Sequence, residues 1–257
     1  MFTWNFGPCA RRLRPSERIP LSHLTDDELS CLYDTLDFID KYMGGHRLIF
    51  QHLNAWSHLW LPGKPIEILI LYCGRGETAR ALVRWAKKMN VSMHVLAVDP
   101  DPRLIKLAKE KCGTDKEITF DVKDASDALF FQARSFDYVI GLNLLNRCSD
   151  EEAVPLLRST QLMSKRGFIV VDWIRDLRAY GWMRGFSSLM LDGTVRNYLP
   201  VLIRRGFVIR EVNAIAAQAN LEYVKGRKHF GFRFSLAGER GLVMDPKLSP
   251  IPRLAGI

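Results

Sequence analysis

The sequence predicts a doubly wound, mostly parallel α/β sheet of seven strands beneath an amino-terminal helical cap. Three observations predict it. From Ile66 onward, short β-branched runs alternate with helical segments, the pattern of right-handed βαβ units. The first run leads through a glycine-containing turn into a helix, "YCGRGETARALVRWAKK". Acidic residues then stand at the ends of the second and third strands, where an open α/β sheet holds its ligands.

Taken in order, the first element is a helix. Thr25 and Glu28 form a capping box ahead of Leu29, Leu32, Leu36, Ile39 and Met43 on one face, and Gly44 and Gly45 end it. A second helix is expected from about His46 to Trp60, and "LPGKP" breaks the chain before the sheet. "IEILILY" is strand one, and the helix after it buries Ala79, Leu82, Val83 and Ala86. "MHVLAVD" is strand two, followed by the helix "PRLIKLAKEK", strand three "EITFDV" and strand four "FDYVIGL". A helix over roughly Asp150 to Met163 comes next, its start shifted or its axis kinked by Pro155, and "GFIVVD" is strand five. Helices are expected near Arg175 to Met190 and Thr194 to Arg204, then "GFVIREVN" and "HFGFRFSL" as an antiparallel final pair. The expected organisation is an arm and cap over 1–62, one sheet domain over 63–238, and an extended tail over 239–257.

Composition fits this. Of 257 residues, 47% are hydrophobic and 11% aromatic, enough for a sizeable core. The longest apolar runs fall well short of the roughly 20 residues that span a bilayer, so no membrane span is expected. In "MFTWNFGPCARRLRPSERIP" the basic residues follow the aromatic stretch, unlike a secretory leader, and the expected location is cytoplasmic. Cys9, Cys31, Cys73, Cys112 and Cys148 form no C-x-x-C pair, which argues against a zinc site or a disulfide framework. The formal charge of +9 is scattered along the chain among acids and reads as solvated surface. No RNA-binding module or basic stripe with interleaved aromatics is evident, so nucleic acid is not an expected partner.

Gly74 and Gly76 let backbone approach a ligand near a helix amino terminus, although tight turns of this kind also use glycine for steric reasons alone. Asp99, followed by Pro100, stands where a carboxylate can accept from both hydroxyls of a ribose; capping of the next helix is the alternative. Asp124 and Ala125, past strand three, suit an adenine amino group, again with capping as the alternative. Three such turns on one rim describe a nucleoside crevice.

These segments resemble the class I S-adenosylmethionine-dependent methyltransferases from about Asp37 to Leu236. "EILILYCGRGETARALVRWA" is similar to the family's glycine motif, "VLAVDPDPRLIKLAKEK" to its ribose segment, "VKDASDAL" to its adenine segment, and "SFDYVIGLNLL" to its fourth strand and the turn beneath the methyl donor. The resemblance implies S-adenosylmethionine as cofactor, contacted by Cys73, Gly74, Gly76, Asp99, Pro100, Asp124, Ala125 and Asn143. "DKYMGGHRLIF", "VVDWIRDLRAY" and "LDGTVRNYL" resemble a bacterial subgroup that modifies small aromatic or polyketide-like metabolites.

Two features depart from the family. Ile70 and Tyr72 stand where an acid and a first glycine are usual, and Asn146 and Arg147 where a histidine pair is common. Losing the acid's charge-assisted contact removes about 1.5–3 kcal/mol of grip. The expected function is methyl transfer to a hydroxyl or carbon of a small metabolite. The alternative is a catalytically silent member that binds or scaffolds. A Rossmann dehydrogenase fits less well, because Ala79 replaces the third glycine of G-x-G-x-x-G and no proton-transfer pair follows.

For an acceptor that must lose a proton, His46 is the candidate base, with helix capping as its alternative role. Asp172, Arg175 and Tyr180 are candidate acceptor contacts, with a local salt bridge as the alternative, and "WIRDLRAYGWMRGFSSLM" is a candidate apolar lid. The expected partner is a small-molecule substrate, with no metal; a homodimer is left open.

Overall fold

A computed structural model describes residues 7–13, 20–113, 115–125 and 135–240. The expected tail beyond residue 240, and the end of the adenine-type segment from Ser126, lie outside the described residues. Helices α1 (Asp26–Tyr42) and α2 (Gly45–Trp56) precede β1 (Ile66–Leu71), α3 (Glu77–Lys88), β2 (Met93–Asp99), α4 (Pro102–Cys112), β3 (Ile118–Val122) and β4 (Phe136–Leu142). Then come α5 (Asp150–Met163), β5 (Ser164–Trp173), α6 (Leu177–Ser187), α7 (Gly193–Arg205), α8 (Ile209–Gln218), β6 (Lys225–His229) and β7 (Arg233–Glu239).

The seven strands form one sheet in the order β3-β2-β1-β4-β5-β7-β6. The first five are parallel, while β7 runs antiparallel to both β5 and β6. Strand β1 is central, with Ile68 opposite Val95 on one side and Tyr138 on the other. Its side chains alternate between faces as the pleat requires. Leu69 and Leu71 pack with residues of α5 and α8, while Ile66, Ile68 and Ile70 pack with residues of α2, α3 and α4. A third cluster joins α1, α6 and α7, through Leu29, Leu32, Tyr33, Met183, Tyr198 and Leu199.

The capping box at Thr25 is present: its hydroxyl accepts from the Glu28 backbone and its own N–H donates to the Glu28 carboxylate. Helix α5 starts at Asp150 and runs through Pro155, because a second capping box, Ser149 with Glu152, fixes its first turn. Two expectations are corrected. Helix α2 ends at Trp56, and residues 57–59 form a single 3₁₀ turn. The segment "GFVIREVN" is not a strand; from Ile209 it belongs to α8, whose Val212, Ile215 and Ala216 are buried at helical spacing. Glu211 begins that helix by accepting from the Val208 N–H at 3.0 Å. The last antiparallel pair is therefore β6 with β7.

Candidate active site

Strand β1 leaves the sheet through Tyr72, whose φ of +52° is left-handed. The bend continues through Gly74 and into Gly76, which caps α3. A bulky side chain in this conformation costs roughly 1–2 kcal/mol, so the bend keeps a glycine-like shape without the glycine. A Cβ on Gly76 would lie 2.7 Å from the Phe120 ring, so this glycine allows α3 to close on β3.

Asp99, 1% exposed, is the pivot of the rim. Its carboxylate accepts from the Gly74 N–H at 3.0 Å and from the Asp101 N–H at 3.1 Å, joining the turns after β1 and β2. Burial pushes its pKa up, against the pull of Arg147 and these two N–H groups. The Tyr72 hydroxyl donates to Asp124 at 3.4 Å, which brings the turn after β3 to the same rim.

The space between these groups is occupied. The Arg147 guanidinium lies 5.0 Å from the centre of the Tyr72 ring and donates to the Tyr33 hydroxyl at 3.1 Å. The Tyr33 ring in turn covers Gly74, where a Cβ would meet it at 2.6 Å. What remains is a cavity of about 40 Å³ bordered by Tyr72, Gly74, Asn143, Arg147 and Tyr198. That is room for a few waters.

The charges around it are matched. Arg75 holds Asp34 at 2.5 Å and Asp37 at 2.9 Å, tying the glycine turn to α1. Burial pushes the Asp37 carboxyl up to about 6, even with Arg75 pulling it down. The fully buried Arg233 binds Asp40 and donates to Asn143 Oδ1 at 3.0 Å, while Asn143 Nδ2 donates to Asp40 at 2.9 Å. This trio walls the cavity off from an apolar recess of about 420 Å³ bordered by Met43, Trp182, Phe230 and Phe232.

The structure brings Cys73, Gly74 and Asn143 to the inner cavity, and Asp99 and Pro100 to an open recess just outside it, with Arg147 on both. Asp124 joins through Tyr72, whereas Ala125 is buried in the core. His46 borders a different groove and meets the cavity only through Thr78, whose hydroxyl is 3.3 Å from its Nε2; burial lowers its pKa.

The three expected acceptor contacts do not border the inner cavity. Asp172 is 1% exposed and accepts from the Asn146 N–H and side chain and from the Trp173 N–H, so it shapes the turn after β4. Arg175 is buried and pairs with Glu211 at 2.5 Å, away from the cavity. Tyr180 packs against the cap cluster. Of the expected lid, Trp173 is core, and Trp182, stacked on Phe186 at 5.4 Å, is the aromatic that faces the recess.

Some of the positive charge gathers in space: a groove at α2 and α3, with Lys41 of α1 at its edge, brings Arg47, Arg80, Arg84 and Lys88 around the stacked rings of Phe50 and Trp85, with Glu77 among them pairing Arg80 and Arg84. Tyr33 and Arg147, which border the cavity, and Arg233, which borders the recess, were missed; only the departure at Arg147 from the family pattern signalled any of them. Among the described residues no cluster suited to a metal ion occurs, and no helix is long and apolar enough to cross a membrane.

The family of methyltransferase domains matches residues 68–167. No curated protein sequence matches the chain. Among solved structures, the plantazolicin methyltransferase BamL, in complex with a desmethylPZN analog and SAH, is 15% identical with a TM-score of 0.60, covering 80% of this chain and 72% of that one. Magnesium protoporphyrin IX methyltransferase (ChlM) from Synechocystis PCC 6803, with bound SAH, is 14% identical with a TM-score of 0.57, covering 83% and 93%. Human N-acetylserotonin methyltransferase, in complex with SAM, is 15% identical with a TM-score of 0.60, covering 87% and 60%. With its strand order and these structural neighbours the chain has the class I methyltransferase fold, and its residues 68–167 match the methyltransferase-domain family.

Proposed function

We propose that the protein binds S-adenosylmethionine at the rim made by Gly74, Asp99 and Asp124 and transfers a methyl group to a hydroxyl or carbon of a small, aromatic or polyketide-like metabolite. The observation that carries this reading is the joining of the glycine turn to the acid ending β2, through the Asp99 to Gly74 hydrogen bond. The solved structures it resembles hold the cofactor or its product. The rim fits the nucleoside half of this cofactor. The 40 Å³ interior does not fit its methionine half while Arg147 and Tyr72 stand as described.

When bound, the sulfonium supplies an activated methyl group, so the protein's part is chiefly placement. The apolar recess beside Trp182 and Phe232 suits a flat acceptor, and transfer requires the Arg233 to Asp40 pair to give way so that the acceptor atom can reach the methyl group in line. His46, held uncharged by burial, takes a proton only by way of Thr78. The closed interior favours a second reading, a silent member of the fold that binds without transferring. Calorimetric titration with S-adenosylmethionine and S-adenosylhomocysteine tests the first reading. Micromolar to submillimolar binding is expected, and no binding of either ligand at millimolar concentration overturns it. Binding without methyl transfer to any of a panel of phenols and polyketides would favour the second.

A further inference from the structure

Helices α2 and α3 bury Leu48, Ile49 and Leu53, and Ala79, Leu82, Val83 and Ala86, in the cluster they share with the sheet. Their other sides border a groove of about 930 Å³. Helix α3 lines it with Glu77, Arg80, Ala81, Arg84, Trp85 and Lys88, one stripe at three- and four-residue spacing along its whole length. At about 1.5 Å per residue the stripe runs about 16 Å, or about three helical turns. Helix α2 supplies the facing stripe of Arg47, Phe50, Gln51 and Asn54.

The groove is apolar within and basic at its edges. Phe50 and Trp85 are half-buried, parallel to within 6° and 5.8 Å apart, and Ala81 lies among the same lining residues. Arg47, Arg84, Lys88 and Lys41 are exposed. Glu77 is the acid on the groove among the described residues, and it is shared by Arg80 at 3.4 Å, Arg84 at 3.9 Å and Lys111 at 2.7 Å. No carboxylate among the described residues pairs with Arg47 or Lys88, nor with Lys41, which lies 4.9 Å from the centre of the Tyr42 ring.

Shape and charge together select the occupant. A trough between two helices, with aromatic and small residues inside and arginines along the rim, is the complement of a third helix. A nucleic-acid base needs a free ring face, whereas these two rings turn a face to each other. A flat anionic bilayer would meet the rims and leave the trough unfilled. A second copy of a chain with a formal charge of +9 brings no surplus of acid.

We propose that this groove docks an acidic amphipathic helix of a partner protein. Its apolar stripe seats on Phe50, Ala81 and Trp85, and its acidic flanks meet Arg47, Arg84 and Lys88. The proposal does not depend on what the crevice at Gly74 binds.

The probe is a synthetic, end-blocked peptide of about 16 residues with Leu at helical spacing and Glu on both flanks, beside a second peptide of the same composition in scrambled order. Fluorescence anisotropy follows both against the full chain, the groove reversal R47E/R84E/K88E, the filled groove A81W and a matched reversal of exposed lysines elsewhere, K106E/K109E/K225E. Thermal melts confirm that each variant is folded. At about 50 mM salt, where surface charges still act over the width of the groove, the wild type should bind the ordered peptide at least about tenfold more tightly than the scrambled one. R47E/R84E/K88E should weaken the ordered peptide at least about tenfold and A81W about fivefold, while K106E/K109E/K225E changes it less than about twofold. No binding of the ordered peptide, equal binding of the two peptides, or equal losses in the two reversals overturns the proposal. Binding of an oligothymidylate or of phosphatidylserine vesicles that is tighter than that of the peptide and lost in R47E/R84E/K88E also overturns it, assigning the groove to nucleic acid or membrane. A dimer seen in sedimentation that the same reversal dissolves overturns it in favour of a second copy.

Discussion

The two spaces on either side of the Arg233 to Asp40 wall are built on opposite principles. The inner cavity at the glycine turn is about 40 Å³, polar and crossed by a cation, while the outer recess is about 420 Å³, apolar and edged by exposed rings. Trp182 is 39% exposed and Phe230 fully so, whereas Tyr33 and Gly74 are buried against each other. The outer recess is thus open as it stands, whereas the inner cavity has a preformed rim and a filled interior. Affinity for an adenosine ligand is therefore set by what must be displaced as much as by what receives it.

The wall itself gives the largest expected effect. Arg233→Met leaves Asp40 buried with only Asn143 as partner and should cost about 3–5 kcal/mol of stability. Chemical denaturation measures this, and a loss below 1 kcal/mol would mean that the two spaces are not divided by this pair. Next comes Asp99→Ala, which removes two backbone hydrogen bonds from the rim. A loss of about 2 kcal/mol is expected, together with most of the binding of either adenosine ligand. An unchanged affinity by calorimetry would place the ribose elsewhere.

A smaller effect should appear with pH beside the recess. Burial, with help from His229 and Arg227, lowers the pKa of His52 to about 4 from 6.5. Its hydrogen-bond partner Ser235 is shared with His229, which borders the recess. The unfolded chain takes up this proton first as pH falls through 6.5, so stability declines from there toward pH 4. His52→Gln should flatten that slope by roughly 1–2 kcal/mol in melts across the window. The smallest effect belongs to Trp182→Ala. It should change stability by less than about 1 kcal/mol, leave adenosine binding intact and weaken an aromatic acceptor several-fold. Equal losses for donor and acceptor would erase the distinction between the two spaces.

Much of the fold was legible because its signals are local. The Thr25 to Glu28 box, the β-branched strands and the face of Ala79, Leu82, Val83 and Ala86 each lie within a short window. The segment at Val208 was misread because β-branched residues at its start outweighed the spacing of Ile209, Val212, Ile215 and Ala216, which is helical. The rim was legible as well, since its turns follow strand ends. What fills it was not, because Arg147 meets a tyrosine 114 positions away in the chain, and Arg233 meets Asp40 across 193. The basic groove at Trp85 was hidden for the same reason: its cations come from three helices, and only packing sets them side by side.

The fastening of α1 bears on how quickly a ligand could enter. Arg75 grips the helix from the glycine turn, and at its other end Glu28 accepts from the Thr194 hydroxyl of α7 at 2.8 Å. Held at two points, the helix is restrained from swinging aside, and entry to the inner cavity calls on Arg147 and the buried Tyr33 to give way. Loosening one fastening, as in Thr194→Ala, should therefore raise the association rate of an adenosine ligand in stopped-flow measurements, and an unchanged rate would show that the helix is not the barrier.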